Sequence, residues 1–263
     1  MSAEPSTPAP ARPGSAPDPT DALSAVPASG SRRSMPVVGH LRFYYGPMDC
    51  GKSTLALQVD HNHARQGRRG LLLVHLDRSG RPQITSRIGI TREAVEVHAE
   101  VDLLVLVREQ WAAGRGVDYL IVDEAQFLTP AQVDQLAALA DDHQVDVYCF
   151  GIATDFRSRL FPGAARLFEL ADELQPVQVD VLCWCGLPAR FNARVVGGKI
   201  IREGDTVVVA DTETARFVTH SDGSTEQVDH ASTTVRYQVL CRRHFRLGDL
   251  GARVGVQGQL SFA

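Results

Sequence analysis

The chain has 263 residues, of which 44% are hydrophobic and 22% are charged, so its composition is that of an ordinary globular protein. Its 31 acidic and 27 basic side chains give a net charge of −4, which argues against binding nucleic acid through an overall basic surface. No apolar run approaches the roughly 20 residues of a membrane span, the start lacks a signal-peptide pattern, and five cysteines do not suggest a disulfide framework. We therefore expect a cytoplasmic protein that binds neither membranes nor nucleic acid.

The first 35 residues differ in composition from the rest of the chain. They are almost entirely Pro, Ala, Ser, Gly, Thr and Asp, with few large apolar side chains. Such a segment buries too little apolar surface to offset the entropy lost on ordering. We expect residues 1–35 to be a disordered tail, and a Pro-rich docking segment is the alternative.

From residue 37 onward, short apolar runs alternate with stretches of helical periodicity. The apolar runs predict strands at residues 37–45, 71–76, 119–122 and 145–150, and the periodic stretches predict helices at 53–66, 103–112 and 130–140. Continuous apolar strands that alternate with helices favour a parallel sheet covered by helices on both faces.

The pattern changes at about residue 177, where the chain becomes strand-like and rich in turns, without a long amphipathic helix. We therefore divide the chain into four parts. They are the tail at 1–35, an α/β domain at 36–176, a smaller domain at 177–250 and a C-terminal tail at 251–263.

The first predicted strand runs into eight residues that match the phosphate-loop pattern G-x-x-x-x-G-K-[ST]. They are Gly46, Pro47, Met48, Asp49, Cys50, Gly51, Lys52 and Ser53. The glycines let backbone N–H groups surround an anion, Lys52 brings a positive charge to the terminal phosphates, and the Ser53 hydroxyl is placed to bind Mg²⁺. A Gly-rich turn with an exposed lysine is the alternative. The strand before the loop and the helix after it favour a nucleotide site in a P-loop α/β fold.

The third predicted strand ends in two adjacent acids, Asp123 and Glu124. In a parallel sheet such a strand end lies beside the phosphate loop. Successive strand residues point to opposite sides, so we expect Asp123 to face Mg²⁺ and Glu124 to face the acceptor, where a carboxylate can take a proton from a hydroxyl group or water. Without the phosphate loop, a solvated strand end would be an equally good interpretation.

The order of these and later motifs resembles that of the thymidine kinases of the bacterial and animal cytosolic type. The motifs are the phosphate loop, Asp-Glu-Ala-Gln-Phe at 123–127, Asp-Phe-Arg at 155–157 with Phe161, Asn192 and Arg194 after a Cys-rich element, and Tyr237 before Cys-Arg-Arg-His at 241–244. The resemblance covers residues 37–245. It implies a P-loop sheet followed by a small zinc domain with a lasso loop, and transfer of the γ-phosphoryl group of ATP to the 5′-hydroxyl of thymidine or deoxyuridine. It also implies a homotetramer.

The resemblance implies roles for individual residues. Glu124 corresponds to the general base, and Ser53 and Asp123 to the Mg²⁺ site. The implied ATP contacts are the eight loop residues, Thr54, Asp123 and Gln126. The implied nucleoside contacts are Phe127, Phe156, Phe161, Val209, Ala210, Asp211 and Tyr237, and the implied residues near the phosphates are Asp77, Arg78 and Arg157. Core phenylalanines and a surface arginine are the alternatives for the aromatic residues and for Arg157.

Two features depart from the family pattern. Residues 207–211 and Tyr237 resemble the two ends of the lasso loop that holds the base, but the connection at 212–236 is longer than the usual one. Asp77 and Arg78 are adjacent, whereas many members have a residue between them.

The last part of the chain also contains a candidate metal site. Cys183, Cys185, Cys241 and His244 can supply the S₃N ligand set of a structural zinc ion. Family members commonly have C-x-x-C where this chain has C-x-C, but residues i and i+2 of a strand share a face, so both sulfurs can reach one ion. A set of buried thiols is the alternative. Cys149, inside the fourth predicted strand, is expected to be a packing residue.

Two other functions fit parts of the sequence. A P-loop ATPase with a Cys-rich domain that binds a macromolecule would explain the phosphate loop and the carboxylates equally well. It would explain neither the aromatic residues nor the slight acidity. A nucleotide sensor without enzymatic activity is disfavoured by the position of Glu124.

Overall fold

The structure is a computed structural model that describes residues 38–75, 82–204, 217–219, 225–227 and 235–251. The strands in chain order are β1 (Leu41–Tyr45), β2 (Gly70–Val74), β3 (Gln83–Thr85), β4 (Thr91–Glu93), β5 (Val95–Glu96), β6 (Tyr119–Asp123), β7 (Asp146–Gly151), β8 (Glu173–Pro176), β9 (Phe191–Val196), β10 (Lys199–Ile201), β11 (Phe217–Thr219), β12 (Thr225–Gln227) and β13 (Arg236–Leu240). The helices are α1 (Lys52–Arg65), α2 (Leu103–Ala112), α3 (Pro130–His143), α4 (Pro162–Leu170) and α5 (Arg242–Leu247), with a 3-10 helix at Ala125–Phe127.

A six-stranded parallel sheet forms the centre of the fold, in the order β5-β2-β6-β7-β1-β8. All five residues of β6 are buried, which explains why this strand is an unbroken apolar run in the sequence. Helices α2, α3 and α4 pack on one face of the sheet, and α1 packs on the other. The predicted P-loop α/β fold class is therefore confirmed.

Several helix starts follow from local sequence signals. The Asp102 carboxylate accepts a hydrogen bond from the backbone N–H of Val105 at the start of α2. Thr129 and Gln132 form a reciprocal capping box at the start of α3, where Pro130 is the first helical residue. Within the described residues, no helix is long and apolar enough to cross a membrane.

Ionic contacts join neighbouring strands at the amino-terminal edge of the sheet. The Asp146 carboxylate, at the start of β7, accepts hydrogen bonds from Arg68 Nη2 at 2.7 Å and from Arg42 Nη1 at 3.3 Å. Burial alone would raise the pKa of Asp146, but the hydrogen bond and charge of Arg68, together with the charge of Arg42, hold that pKa below its usual value. Ion pairs therefore stabilise the amino-terminal edge of the sheet, and the phosphate loop lies at the opposite, carboxyl-terminal edge.

The Asp146 contacts predict a dependence of stability on pH. We expect Asp146→Asn to lower the free energy of unfolding at pH 7 by about 1–3 kcal/mol, because a charged partner of two arginines is lost. The pKa of Asp146 in the folded state is lower than its value of about 4 in the unfolded state. The stabilisation by its charge is therefore complete above about pH 4, and it is lost as the pH falls through the pKa of the folded state. Urea unfolding of both proteins between pH 7 and pH 3 should show a difference that narrows below about pH 4.

Asp134→Asn is the matched control for this prediction. Its carboxylate pairs with Arg166, but the side chain is 52% exposed. An exposed pair contributes little to stability, so this variant should stay close to the wild type at every pH. A constant difference between wild type and the Asp146 variant down to pH 3 would contradict the pKa argument.

A second, antiparallel sheet of three strands lies near the carboxyl-terminal end, in the order β10-β9-β13. Helix α5 follows β13 after Cys241 and packs Phe245 against Phe191 of β9, with ring centroids 5.1 Å apart. The chain thus changes from a parallel to an antiparallel sheet, and the smaller domain at 177–250 stays a prediction.

Several short elements of the structure are not predicted from the sequence. Helix α4 was not predicted, although Phe161-Pro162 places a proline at its first helical position. Strand β8 and the hairpin of β3 and β4 are also not predicted, because strands of three or four residues show no clear period. The strand predicted at 207–211 lies outside the described residues.

Candidate active site and metal site

The phosphate loop connects β1 to α1 at the carboxyl-terminal edge of the parallel sheet. The Gly46 backbone N–H donates a hydrogen bond to the Gly151 carbonyl oxygen, which ties the loop to the end of β7. A Cβ atom on Gly46 would lie 2.5 Å from Cys50 Sγ, and Gly51 has a φ of 81°, so both positions require glycine. These constraints explain the glycine spacing of the motif.

Lys52 is the first residue of α1 and its side chain is buried. The Nζ atom donates hydrogen bonds to the carbonyl oxygens of Pro47, at 2.8 Å, and Gly46, at 3.4 Å. The ammonium group is therefore held over the loop in the place where the phosphates of a nucleotide would need a positive charge.

Asp123 lies at the end of β6, directly beside the start of α1. Burial raises the pKa of Asp123 to about 6, and the negative charge of Glu124 contributes to the increase. A hydrogen bond with Ser53 and the charge of Lys52 oppose this increase. The paired oxygens of Ser53 and Asp123 are the kind of ligand that Mg²⁺ prefers, so these residues fit the predicted magnesium site.

Glu124 follows β6 in a left-handed backbone conformation, with φ 54°. This conformation is uncommon for a non-glycine residue and is often found at functional sites. The Glu124 carboxylate accepts a hydrogen bond from Gln126 Nε2 at 2.5 Å, and the buried Gln126 accepts one from the Ile152 backbone N–H at 3.0 Å. In this structure, Gln126 therefore orients the carboxylate and ties it to the end of β7.

The predicted aromatic residues form two separate groups. Phe127 contacts Phe161 edge-on, with ring centroids 5.4 Å apart, and also lies against His75 at 5.5 Å. Phe156 instead packs under the guanidinium group of Arg194, whose Cζ is 3.7 Å from the ring centroid. The first group lies next to Glu124 in sequence and space. The second faces the three-stranded sheet β10-β9-β13, which we call the small sheet.

The small sheet supplies Tyr237 and Arg194 to the second aromatic group. Arg194 Nε and Nη2 donate hydrogen bonds to the Tyr237 hydroxyl oxygen at 3.2 and 3.1 Å. Arg157 also lies near the Phe156 ring, with Cζ 5.1 Å from the ring centroid, and its Nε donates to Asp155 at 2.9 Å. Phe156 and Arg194 are buried, whereas Tyr237 is half-buried, and an oriented aromatic ring of this kind can bind a planar base.

Four potential metal ligands come together beside the small sheet. The ligand atoms of Cys183, Cys185, Cys241 and His244 all lie within 4.8 Å of one another. His244 Nδ1 is 3.4 Å from Cys183 Sγ and 3.5 Å from Cys241 Sγ, and the sulfurs of Cys185 and Cys241 are 4.0 Å apart. Ligands of one tetrahedral zinc ion lie about 3.5–4 Å apart, so the cluster fits zinc.

The surroundings of His244 also suit a metal ligand. Its Nε2 is 3.9 Å from an Asp249 carboxylate oxygen, and Trp184 stacks on its ring at a centroid distance of 4.2 Å. A carboxylate near the second ring nitrogen favours the tautomer that leaves Nδ1 free to bind a metal.

The thymidine kinase family model matches residues 39–245 of this chain. The chain belongs to the thymidine kinase family. The thymidine kinase of Streptomyces coelicolor is 49% identical over 206 residues, which are 78% of this chain and 88% of that protein. The thymidine kinase of Cutibacterium acnes is 49% identical over 214 residues, which are 81% of this chain and 91% of that protein. That of Rhizobium meliloti is 42% identical over 177 residues, covering 66% and 90% of the two chains.

This membership confirms the predicted family, and with it the predicted kinase. The structure brings the phosphate loop, Asp123 and Glu124 together at one edge of the sheet, and it gathers the four predicted metal ligands. Thr54 lies in the first turn of α1, next to Ser53. Five predicted site residues lie outside the described residues: Asp77, Arg78, Val209, Ala210 and Asp211.

Two residues that the structure places at the site of this thymidine kinase family member have no role predicted from the sequence. His75 follows β2 and packs on Phe127; its buried Nδ1 has no hydrogen-bond partner among the described residues. Burial lowers the pKa of His75, which favours the neutral ring. Asn192 of β9 accepts a hydrogen bond from the backbone N–H of Met48 in the phosphate loop. No local pattern marks His75, whereas Asn192 is one of the residues that carry the family resemblance, without an implied contact.

Proposed function

We propose that this member of the thymidine kinase family transfers the γ-phosphoryl group of ATP to the 5′-hydroxyl of thymidine or deoxyuridine, with Glu124 as general base. The observation that carries the proposal is the position of Glu124. Its carboxylate is held by Gln126 at the end of β6, next to Asp123 and across from the phosphate loop. A general base at this point can reach the acceptor hydroxyl of a nucleoside placed beside the γ-phosphate.

The chemical step balances with these groups. The 5′-oxygen forms a bond to the γ-phosphorus as the bond from that phosphorus to the β,γ-bridging oxygen breaks, which releases ADP and thymidine monophosphate. The proton of the 5′-hydroxyl passes to the Glu124 carboxylate. Positioning and charge neutralisation account for most of the rate of phosphoryl transfer, so the loop and the carboxylates need no covalent step.

The phosphate side of the site is assigned to the loop. Its backbone N–H groups and Lys52 bind the phosphates of ATP, and Ser53 and Asp123 would hold Mg²⁺. When bound, Mg²⁺ neutralises charge on the terminal phosphates. The hydrogen bond between Ser53 and Asp123 supports this assignment, because it shows that both oxygens reach the same point.

The nucleoside side is assigned to the aromatic residues. Phe127 and Phe161 lie next to the general base, where the sugar must enter, and Tyr237 and Phe156 lie around Arg194, where a planar base can stack.

Two features of this kinase are also inferred beyond the site. A structural zinc ion would be held by Cys183, Cys185, Cys241 and His244, and the active form would be a cytoplasmic homotetramer, as the family resemblance implies.

Turnover with a panel of nucleosides tests the proposal. With ATP and Mg²⁺, the purified protein should form thymidine monophosphate, and deoxyuridine should also be phosphorylated. ADP release without any nucleoside should be much slower. ATP hydrolysis that is unaffected by nucleosides and stimulated by DNA would instead favour the P-loop ATPase.

A further inference from the structure

Strand β9 carries two buried polar side chains that contact opposite ends of the candidate site. Asn192 and Arg194 are each 3% exposed and are two residues apart, so they lie on the same face of the strand. Asn192 reaches the phosphate loop, and Arg194 reaches the aromatic residues assigned to the base. One strand therefore contacts the binding sites of both substrates.

The contact with the phosphate loop is direct. Asn192 Oδ1 accepts a hydrogen bond from the Met48 backbone N–H at 2.9 Å, although 144 residues separate the two in sequence. The Met48 side chain also packs against the apolar cluster of the small sheet, which includes Ala193 and Leu240. The third residue of the loop is therefore held by β9 through both its backbone and its side chain.

The contact with the base side is equally specific. The Arg194 guanidinium group lies 3.7 Å above the Phe156 ring and donates two hydrogen bonds to the Tyr237 hydroxyl oxygen. Arg194 and Tyr237 are also directly paired in the β9-β13 ladder. A change in the placement of the Tyr237 ring must therefore be accommodated by Arg194 and by β9.

We infer that Asn192 is a positioning residue that couples the thymidine end of the site to the phosphate loop. The inference rests on the proposed function, because it needs Tyr237 to contact the nucleoside. A thymidine base that packs on Tyr237 orders Arg194 and β9, and Asn192 then holds Met48 in the arrangement that binds ATP. ATP bound at the loop in turn orders Asn192 and β9, and thereby favours the Tyr237 position that binds thymidine. Such coupling is reciprocal, so each substrate must tighten the binding of the other by the same factor.

Calorimetric binding of β,γ-imido-ATP with Mg²⁺, measured with and without saturating thymidine, tests this coupling in the full chain. The analogue is not hydrolysed, so both sites can be filled without turnover. Thymidine should lower the Kd of the analogue about fivefold or more in the wild type, the low end of typical coupling between two sites. In Asn192→Ala, which lacks the acceptor for the Met48 N–H, the ratio of the two Kd values should fall to about one.

Asn192→Asp separates the coupling from the intrinsic affinity. The aspartate carboxylate still accepts the hydrogen bond from Met48, so the ratio of the analogue Kd values without and with thymidine should remain close to that of the wild type. Its negative charge near the phosphates should raise both Kd values. A purely structural role of Asn192 would not separate the two quantities in this way.

Two further variants keep the test decisive if Asn192→Ala does not fold. Tyr237→Phe removes the hydroxyl that accepts the hydrogen bonds from Arg194, so it should lower the ratio of the two Kd values towards one. Gln238→Ala is the matched control. Gln238 is paired with Ala193 on the other face of the same sheet, and it donates to the Leu250 carbonyl oxygen, so its loss should leave the ratio unchanged.

The possible results separate the inference from the proposed function. If thymidine fails to bind the wild type at all, the proposed function fails. If thymidine binds but leaves the Kd of the analogue unchanged, only the coupling is wrong. The coupling is also wrong if both Asn192→Ala and Tyr237→Phe retain the wild-type ratio.

Discussion

Replacing Glu124 by glutamine is expected to lower kcat by about 10²–10⁴-fold, the usual contribution of a general base. The amide has the same shape as the carboxylate, and its oxygen can still accept the hydrogen bond from Gln126 Nε2, so the side chain should stay in place. It cannot accept the proton of the 5′-hydroxyl. Thymidine and ATP should therefore bind nearly as tightly as in the wild type, and the loss should appear in kcat rather than in KM.

Steady-state kinetics with thymidine and ATP, together with direct binding of both substrates, measure this effect. Glu169→Gln is the matched control, because this glutamate is exposed on α4 and pairs with Arg166. It makes the same chemical change away from the site and should leave kcat unchanged. Near-normal turnover of the Glu124 variant would show that Glu124 is not the general base.

The parts of the site that the sequence predicted are contiguous motifs. The phosphate loop is recognisable because a backbone cradle needs glycines, a lysine and a hydroxyl at fixed spacing. The close approach of Cys50 to Gly46 and the positive φ of Gly51 show why glycine stands at these positions. Asp123 and Glu124 are recognisable because they end an unbroken apolar strand. In both cases one stretch of chain contains all the residues that the function needs.

The parts that were missed depend on contacts between distant segments. Asn192 and Arg194 belong to the motifs that carry the family resemblance, but the sequence does not show that Asn192 contacts Met48 or that Arg194 stacks on Phe156. The three phenylalanines show the same limit. The family resemblance implied that all three contact the nucleoside, whereas the fold places Phe127 with Phe161 and places Phe156 under Arg194.

The metal ligands are an intermediate case, since two short motifs each predict half of a site. C-x-C departs from the family's usual spacing. The expectation that both sulfurs reach one ion is met, but the strand on which it rested is wrong, because residues 183–185 lie in a turn. A tight turn accounts for this: the Gly186 backbone N–H donates to the Cys183 carbonyl oxygen, and the Cys183 N–H donates to the Leu187 carbonyl oxygen. The turn brings Cys183 and Cys185 to the same side without an extra residue between them.

Cys241→Ser is expected to remove zinc from the protein and to weaken thymidine binding. A closed site with four ligands binds about one zinc ion per chain, and the loss of a thiolate opens it. Cys241 directly follows β13, which carries Tyr237, and Cys183 precedes β9, which carries Arg194. The cluster therefore fixes the ends of both strands at once, and its loss should raise the thymidine KM about tenfold or more, equivalent to about 1.4 kcal/mol of binding free energy.

Elemental analysis of protein purified without chelators, thymidine and ATP binding, and thermal unfolding together measure this prediction. The phosphate loop is formed between β1 and α1, so ATP without thymidine should still bind the variant. Cys149→Ala is the matched control, because this buried cysteine lies in β7 away from the cluster and its loss should leave the zinc content unchanged. If the wild type contains no metal and Cys241→Ser binds thymidine normally, the four residues are ordinary core side chains, and the small sheet is held together by its apolar contacts alone.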